Sequence, residues 1–168
     1  MKLDFKNKNV LFIDIDDVLA LVKQFHSNKK KWHPVYDVYR FDTKCVNVFN
    51  EICETVNPII VLSSDWKYHY NLHNINEIFQ WNGISYKIST FTPSLWGIKY
   101  TKIQELEECR AHEILDFVKK HNIKKYVAVD DLNLTPWLAE SNFVCTPRPM
   151  EGIKQSGVKE KIIKNFNL

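Results

Sequence analysis

The chain has 168 residues, 45% of them hydrophobic, with a formal net charge of +3 and a pI near 8.6. That is enough apolar material for one domain with its own core, expected over residues 1–168, and too weak a positive charge to mark a dedicated nucleic-acid binder. No apolar run reaches membrane-span length, and the Lys-rich first ten residues show no signal-peptide pattern, so a cytoplasmic protein that stays off membranes is expected. The four cysteines, Cys45, Cys53, Cys109 and Cys145, form no CxxC pair and have no His pair at zinc-finger spacing, which predicts reduced core thiols.

Along the chain, the first apolar run, 10–15, ends in acids. A polar stretch at 27–31 reads as a loop, and helical spacing follows over 43–56. The second run, 58–62, ends in hydroxyls and precedes a helical stretch at 72–80. A shorter strand is predicted at 86–89 and a helix over 102–121. The third run, 126–129, again ends in acids, and a short strand at 142–145 and a helix over 157–165 complete the pattern. Short apolar runs alternating with amphipathic helices predict a three-layer α/β/α sandwich around a parallel, Rossmann-like sheet. Right-handed crossovers then bring the polar strand ends to one rim, where a site must be sought. The span between the first two runs leaves little room for a separate cap domain.

The strongest chemical signal is the first strand end, Val10-Leu-Phe-Ile-Asp14-Ile-Asp16-Asp17-Val18-Leu19. Carboxylates this close repel and raise one another's pKa unless a cation holds them, so a bound Mg²⁺ is the economical explanation. Two residues apart in extended chain, Asp14 and Asp16 can point the same way and leave the intervening backbone free to offer a carbonyl. The competing view is that the acids cap a helix or form a solvated turn. The second strand end, Ser63-Ser64-Asp65-Trp66-Lys67, offers hydroxyls able to donate to a phosphoryl oxygen, although Ser-Ser-Asp alone is an ordinary helix cap. The third, Tyr126-Val-Ala-Val-Asp130-Asp131, reads by itself as a turn.

Taken together these strand ends resemble the haloacid-dehalogenase superfamily, whose first motif is a hydrophobic strand followed by Asp-x-Asp-x-[Thr/Val]-Leu. The resemblance implies Asp14 as the nucleophile that forms an aspartyl-phosphate. It implies Asp16 as the acid that protonates the leaving oxygen and then the base that deprotonates water. Asp17 stands where many members have Gly or Thr. Ser63 takes the phosphate-orienting role, with Ser64 as the second choice, and Ser64 and Lys67 are expected to contact substrate. Mg²⁺ would be held by Asp14, the backbone carbonyl of Asp16 and Asp131, with Asp130 behind them or the order of the last two reversed. For the cation of the third motif, Arg110 in Arg110-Ala-His-Glu113-Ile-Leu is preferred. Thr101-Lys-Ile-Gln104, however, looks like a capping box that would place Arg110 mid-helix within reach of Glu113, which leaves Lys99 and Lys102 as alternatives.

The finer likeness is to a small capless branch that includes domains of RNA-repair-like proteins. It rests on Ser63 to Lys67, Thr92-Pro93, Arg110 to Ile114 and Asp130-Asp131. The expected activity is Mg²⁺-dependent phosphomonoester hydrolysis, with nucleic acid a candidate substrate and no oligomeric state implied. Lys23, Lys29, Lys30 and Lys31, followed by Trp32 and His33, form a basic and aromatic run that could hold a polyanion beside the site. Trp66, Trp81, Trp96 and Trp137 could stack a base or sugar but read first as packing residues, and none is assigned to substrate. His69 and His73, at i and i+4, are the one histidine pair with metal-ligand spacing. The rival from another class is a catalytically silent module that uses the same fold to bind a phosphorylated partner or nucleic acid. A phosphotransferase or a C-halogen hydrolase would share the aspartyl strategy, and the metal-site acids argue against the second.

Overall fold

The computed structural model describes residues 3–21, 32–94, 102–147 and 150–167. Strand β1 (Asn9–Ile13) is buried from Val10 onward and serves two cores at once, with Leu11 and Ile13 in one and Val10 and Phe12 in the other. A strand apolar on both faces belongs inside a sheet. It pairs in parallel with β2 (Ile59–Leu62) on one side and β4 (Lys125–Asp130) on the other. With β3 (Ile88–Phe91) and β5 (Phe143–Cys145) outermost, the all-parallel order is β3-β2-β1-β4-β5.

Helices α1 (Thr43–Val56), α2 (Leu72–Trp81) and α4 (Val158–Phe166) supply Phe49, Phe79 and Phe166 to the core of Leu11 and Ile13. On the opposite face, α3 (Ile103–Lys120) supplies Ala111, Ile114 and Phe117 to the core of Val10 and Phe12. The split follows from handedness. The chain steps from β1 to β2 to β3 through α1 and α2, then returns past β1 to β4 through α3, and right-handed crossovers run in opposite directions lie on opposite faces. The result is the three-layer sandwich, and the described residues include no large cap. The reversal falls between β1 and β4, whose carboxyl ends border the crevice where such sheets take ligands.

The predicted elements are present with shifted ends. β1 stops at Ile13 rather than residue 15, because the Ile15 carbonyl accepts from the N–H groups of Val18, Leu19 and Ala20 and turns the chain. The strand expected at 86–89 forms at Ile88–Phe91, where the Asn76 side chain on α2 bonds both the N–H and the carbonyl of Ile88. α3 begins at Ile103 with Lys102 as a cap that makes no side-chain bond, and Thr101, from which a capping box with Gln104 was expected, lies outside the described residues. Cys45, Cys53 and Cys109 are buried, Cys145 is half-buried, and all four are free thiols. Among the described residues no helix is long and apolar enough to cross a membrane. The loop expected at 27–31 lies outside the described residues.

Candidate active site

The ladder of the sheet sets the first side chain of the site. Asp14 follows β1 directly, and its N–H still donates to the Val129 carbonyl of β4 at 3.1 Å. The register that pairs Ile13 with Leu62 puts Ser63 beside it, where the Ser63 N–H donates to the Ile13 carbonyl at 3.0 Å. Beyond Asp14 the chain turns sharply, with Asp17 in the left-handed region at φ 51° and its N–H on the Ala20 carbonyl. A distant segment braces that turn: Ile153 donates to the Val18 carbonyl at 3.0 Å. At Gly152 an added Cβ would lie 2.4 Å from the same oxygen, so only glycine permits the approach.

Arg110 is buried and joins three strand ends. Its Nη1 donates to Asp14 at 3.2 Å and to Asp130 at 2.8 Å, and its Nη2 donates to Asp65 at 2.7 Å. It makes these contacts from the middle of α3, the placement that counted against it in the sequence. Its neighbour Glu113 does not pair with it: Glu113 binds Lys67 and the Tyr68 hydroxyl. Asp130 is fully buried, and its second oxygen accepts the Leu132 N–H at 3.0 Å.

The 3₁₀ turn Asp65–Tyr68 after β2 ties the other groups together. Ser64 caps it through the Trp66 N–H and also hydrogen-bonds the Asp14 carboxylate. The cap reading and the site reading of Ser-Ser-Asp therefore apply to the same residue. The Trp66 indole donates from Nε1 to Asp16 at 2.9 Å. The Lys67 ammonium, nearly inaccessible, donates to Glu113, to the Thr92 hydroxyl at 2.9 Å and to the Pro93 carbonyl at 3.1 Å. Its three hydrogens are spent on the wall of the site, which makes Lys67 a buried brace rather than an available substrate contact. Ser63 Oγ and Arg110 Nε, by contrast, are buried with no hydrogen-bond partner among the described residues, and the Thr146 hydroxyl after β5 is in the same state. An unspent buried donor carries a desolvation penalty that a bound oxyanion would remove.

The electrostatics are those of too many carboxylates around one cation. Burial raises Asp14 and Asp130 above the ordinary carboxylate range, and Arg110 pulls both back. Burial alone would lower Arg110, but Asp130, Asp14 and Asp65 outweigh it and hold the guanidinium charged. Asp16 is exposed at the mouth, yet desolvation and the charges of Asp14, Asp17 and Asp131 push it up to about 6 against the Trp66 bond. Asp131, half-buried, is pushed to about 6 by burial, Asp14 and Asp17. Oxygens of Asp14, Asp130 and Asp131 lie within 4.8 Å of one another. This all-oxygen set, with excess negative charge, fits a hard divalent cation such as Mg²⁺. Within this set Asp130 already accepts from Arg110 and from the Leu132 N–H.

Asp14, Ser63, Ser64, Arg110, Asp130 and Asp131 thus converge, with Asp16 at the mouth. Lys102 takes no part beyond capping α3, and Lys99, Lys23, Lys29, Lys30, Lys31 and Trp96 lie outside the described residues. His69 and His73 do not share a helix: His69 ends the 3₁₀ turn, and His73 lies in α2 and pairs with Glu77. Sequence reasoning missed Asp65, Trp66 and Glu113. The first two lie in the quoted segment Ser63 to Lys67, where the only signal was their adjacency to the serines.

Strand order and motif order together define a haloacid-dehalogenase-like domain. The chain belongs to the family of HAD domains in Swiss Army Knife RNA repair proteins, whose model matches residues 10–158. No curated protein and no solved structure matches it.

Proposed function

We propose that the chain is a Mg²⁺-dependent phosphomonoester hydrolase acting through an aspartyl-phosphate on Asp14. The observation that carries the reading is the buried junction of Arg110 with Asp14 and Asp130, with the unspent Ser63 hydroxyl beside it. A carboxylate held by a guanidinium next to unused donors is suited to meet a phosphoryl group, whose oxygens those donors can take. Asp14 Oδ bonds to phosphorus as the ester P–O bond breaks, and the proton on Asp16 passes to the leaving oxygen. Asp16 then takes a proton from a water whose oxygen attacks phosphorus, which frees Asp14 and inorganic phosphate. The raised pKa of Asp16 suits a group that must start protonated and end as a base.

Mg²⁺ held by Asp14, the Asp16 carbonyl and Asp131, with Asp130 behind them, would offset the repulsion between nucleophile and phosphate and keep Asp14 ionised. Ser63 and Arg110 hold the transferring group, and Ser64 orients Asp14. The substrate is a bulky phosphoester or a nucleic-acid terminal phosphate. The description of the family as RNA-repair domains supports that choice, as does the absence of a large cap among the described residues.

The test is turnover of 4-nitrophenyl phosphate with Mg²⁺ and with the metal chelated. Hydrolysis that requires the metal is expected. No hydrolysis under either condition would turn the assignment toward a silent phosphate-binding module.

A further inference from the structure

Because Asp16 hands its proton to the leaving oxygen, the alcohol part of the substrate must extend over Asp16 and away on that side. The surface on that side is aromatic. Trp66, bonded to Asp16, packs against Tyr70 with centroids 5.5 Å apart and the rings inclined by 42°. Tyr70 meets Tyr36 at 5.9 Å, Tyr36 meets His33 at 4.8 Å, and His33 meets Trp81 at 4.8 Å. All five rings are half-buried, so each retains some surface toward solvent. At the far end the Arg40 guanidinium lies 4.0 Å over the Trp81 ring.

The last three rings, with Val35, Glu77 and Gln80, wall a cleft of about 440 Å³. Its chemistry is selective. The Tyr36 hydroxyl is already bonded by Glu77 and by Asn74, so what Tyr36 retains for a ligand is its ring. Gln80 offers an amide donor and acceptor beside three rings and a Val35 that is 77% exposed. Flat ring walls with an amide at the edge suit a planar heteroaromatic ligand, because a base of any identity can stack on such a ring. From Trp66 the cleft begins two ring contacts on, past Tyr70, at Tyr36.

We propose that this cleft binds an unpaired nucleobase of the strand whose terminal phosphate is hydrolysed, and that the rings from Trp66 to Trp81 line the path of that strand. The inference rests on the phosphohydrolase reading for the direction in which the leaving group points. It goes further in assigning the leaving group as a single-stranded oligonucleotide recognised through a neighbouring base.

The experiment compares kcat/KM for single-stranded trinucleotides that carry a terminal phosphate at either end, with the neighbouring nucleotide intact or abasic, in the wild type, Gln80→Ala and Trp81→Leu. Arg40 bonds the Trp81 backbone carbonyl, a contact that Trp81→Leu keeps, and Gln80→Ala covers the case in which that variant fails to fold. The intact substrate should exceed the abasic one by about tenfold or more in the wild type. The gap should shrink in both variants, while turnover of 4-nitrophenyl phosphate stays unchanged. Equal kcat/KM for intact and abasic substrates in the wild type overturns the cleft assignment and leaves the phosphatase reading intact. If no phosphoester is hydrolysed, the phosphatase reading fails, and the cleft is judged by tryptophan fluorescence on titration with the unphosphorylated trinucleotides: saturation that needs the base upholds it, and indifference to the base overturns it.

Discussion

Asp130 and Asp131 are neighbours in the chain with opposite surroundings, and substitutions should separate them. Asp130 is fully buried and bound to Arg110 and the Leu132 N–H, whereas Asp131 is half-buried beside Asp14 and Asp17. Asp131→Asn should raise the Mg²⁺ needed for half-maximal activity at least about tenfold with little change in stability. Asp130→Asn should cost about 3 kcal/mol, read by chemical denaturation, because it leaves the buried guanidinium short of a carboxylate. A larger Mg²⁺ effect at Asp130 would reverse the ligand order. Trp66 supports a second prediction: Trp66→Phe keeps the ring and removes the donor to Asp16. The acid matters most when the leaving oxygen is basic, so kcat should fall about tenfold for alkyl phosphates and much less for 4-nitrophenyl phosphate, with KM little changed. An equal loss on both substrates would mean that Trp66 only supports the fold. Asp14 and Asp16 stood out in the sequence because carboxylates after a buried strand are costly, whereas Arg110 came only from the resemblance, with Lys99 and Lys102 beside it. The roles of Asp65 and Trp66 were not legible, since a bond to a residue far away in the chain leaves no local pattern.

At the level of elements, α3 and the 3₁₀ turn after β2 are locked by a buried pair, Lys67 with Glu113, whose side chains are 1% and 2% accessible. Burial pulls the Lys67 ammonium below its ordinary value, and Glu113 acts against this. Glu113→Gln should therefore destabilise the protein by about 3 kcal/mol, and Lys67→Met in that background should restore part of the loss by removing the unpaired charge. Urea denaturation of the two single variants and the double variant measures the coupling, and additive effects would show that the pair is not the lock. The helices were read closely from sequence because their apolar spacing is regular: 43–56 is the whole of α1. The slip at β3 came from Asn76, a side chain of α2 that selects which residues join the sheet edge.

For the whole molecule, one site concentrates the electrostatic strain. Asp16 and Asp131 lie near 6 in the fold, against 3.8 for the carboxylate when unfolded, and Asp14 and Asp130 are raised as well. Between those values the folded state binds more protons than the unfolded one, so the stabilisation is present at low pH and is lost as pH rises through about 6. With metal chelated, Tm should fall between about pH 5 and pH 7.5, and Mg²⁺ added at the higher pH should recover it. A Tm that ignores both pH and Mg²⁺ would remove the strained cluster from the account. The topology that gathers these groups was legible in the alternation of apolar runs and helices and in the acids and hydroxyls that end the runs. The aromatic path from Trp66 to Trp81 was not, because its rings come from three separate segments, 33–36, 66–70 and the end of α2, that only the fold brings together.

The most direct measurement is of the bond itself: wild-type protein mixed with substrate and Mg²⁺, quenched in acid during turnover, and mapped by mass spectrometry. A single phosphoryl group on Asp14, absent from the Asp14→Asn variant, which should be inactive yet folded by circular dichroism, is the predicted result. Turnover that persists in Asp14→Asn, or a phosphoryl group trapped on another residue, would contradict it.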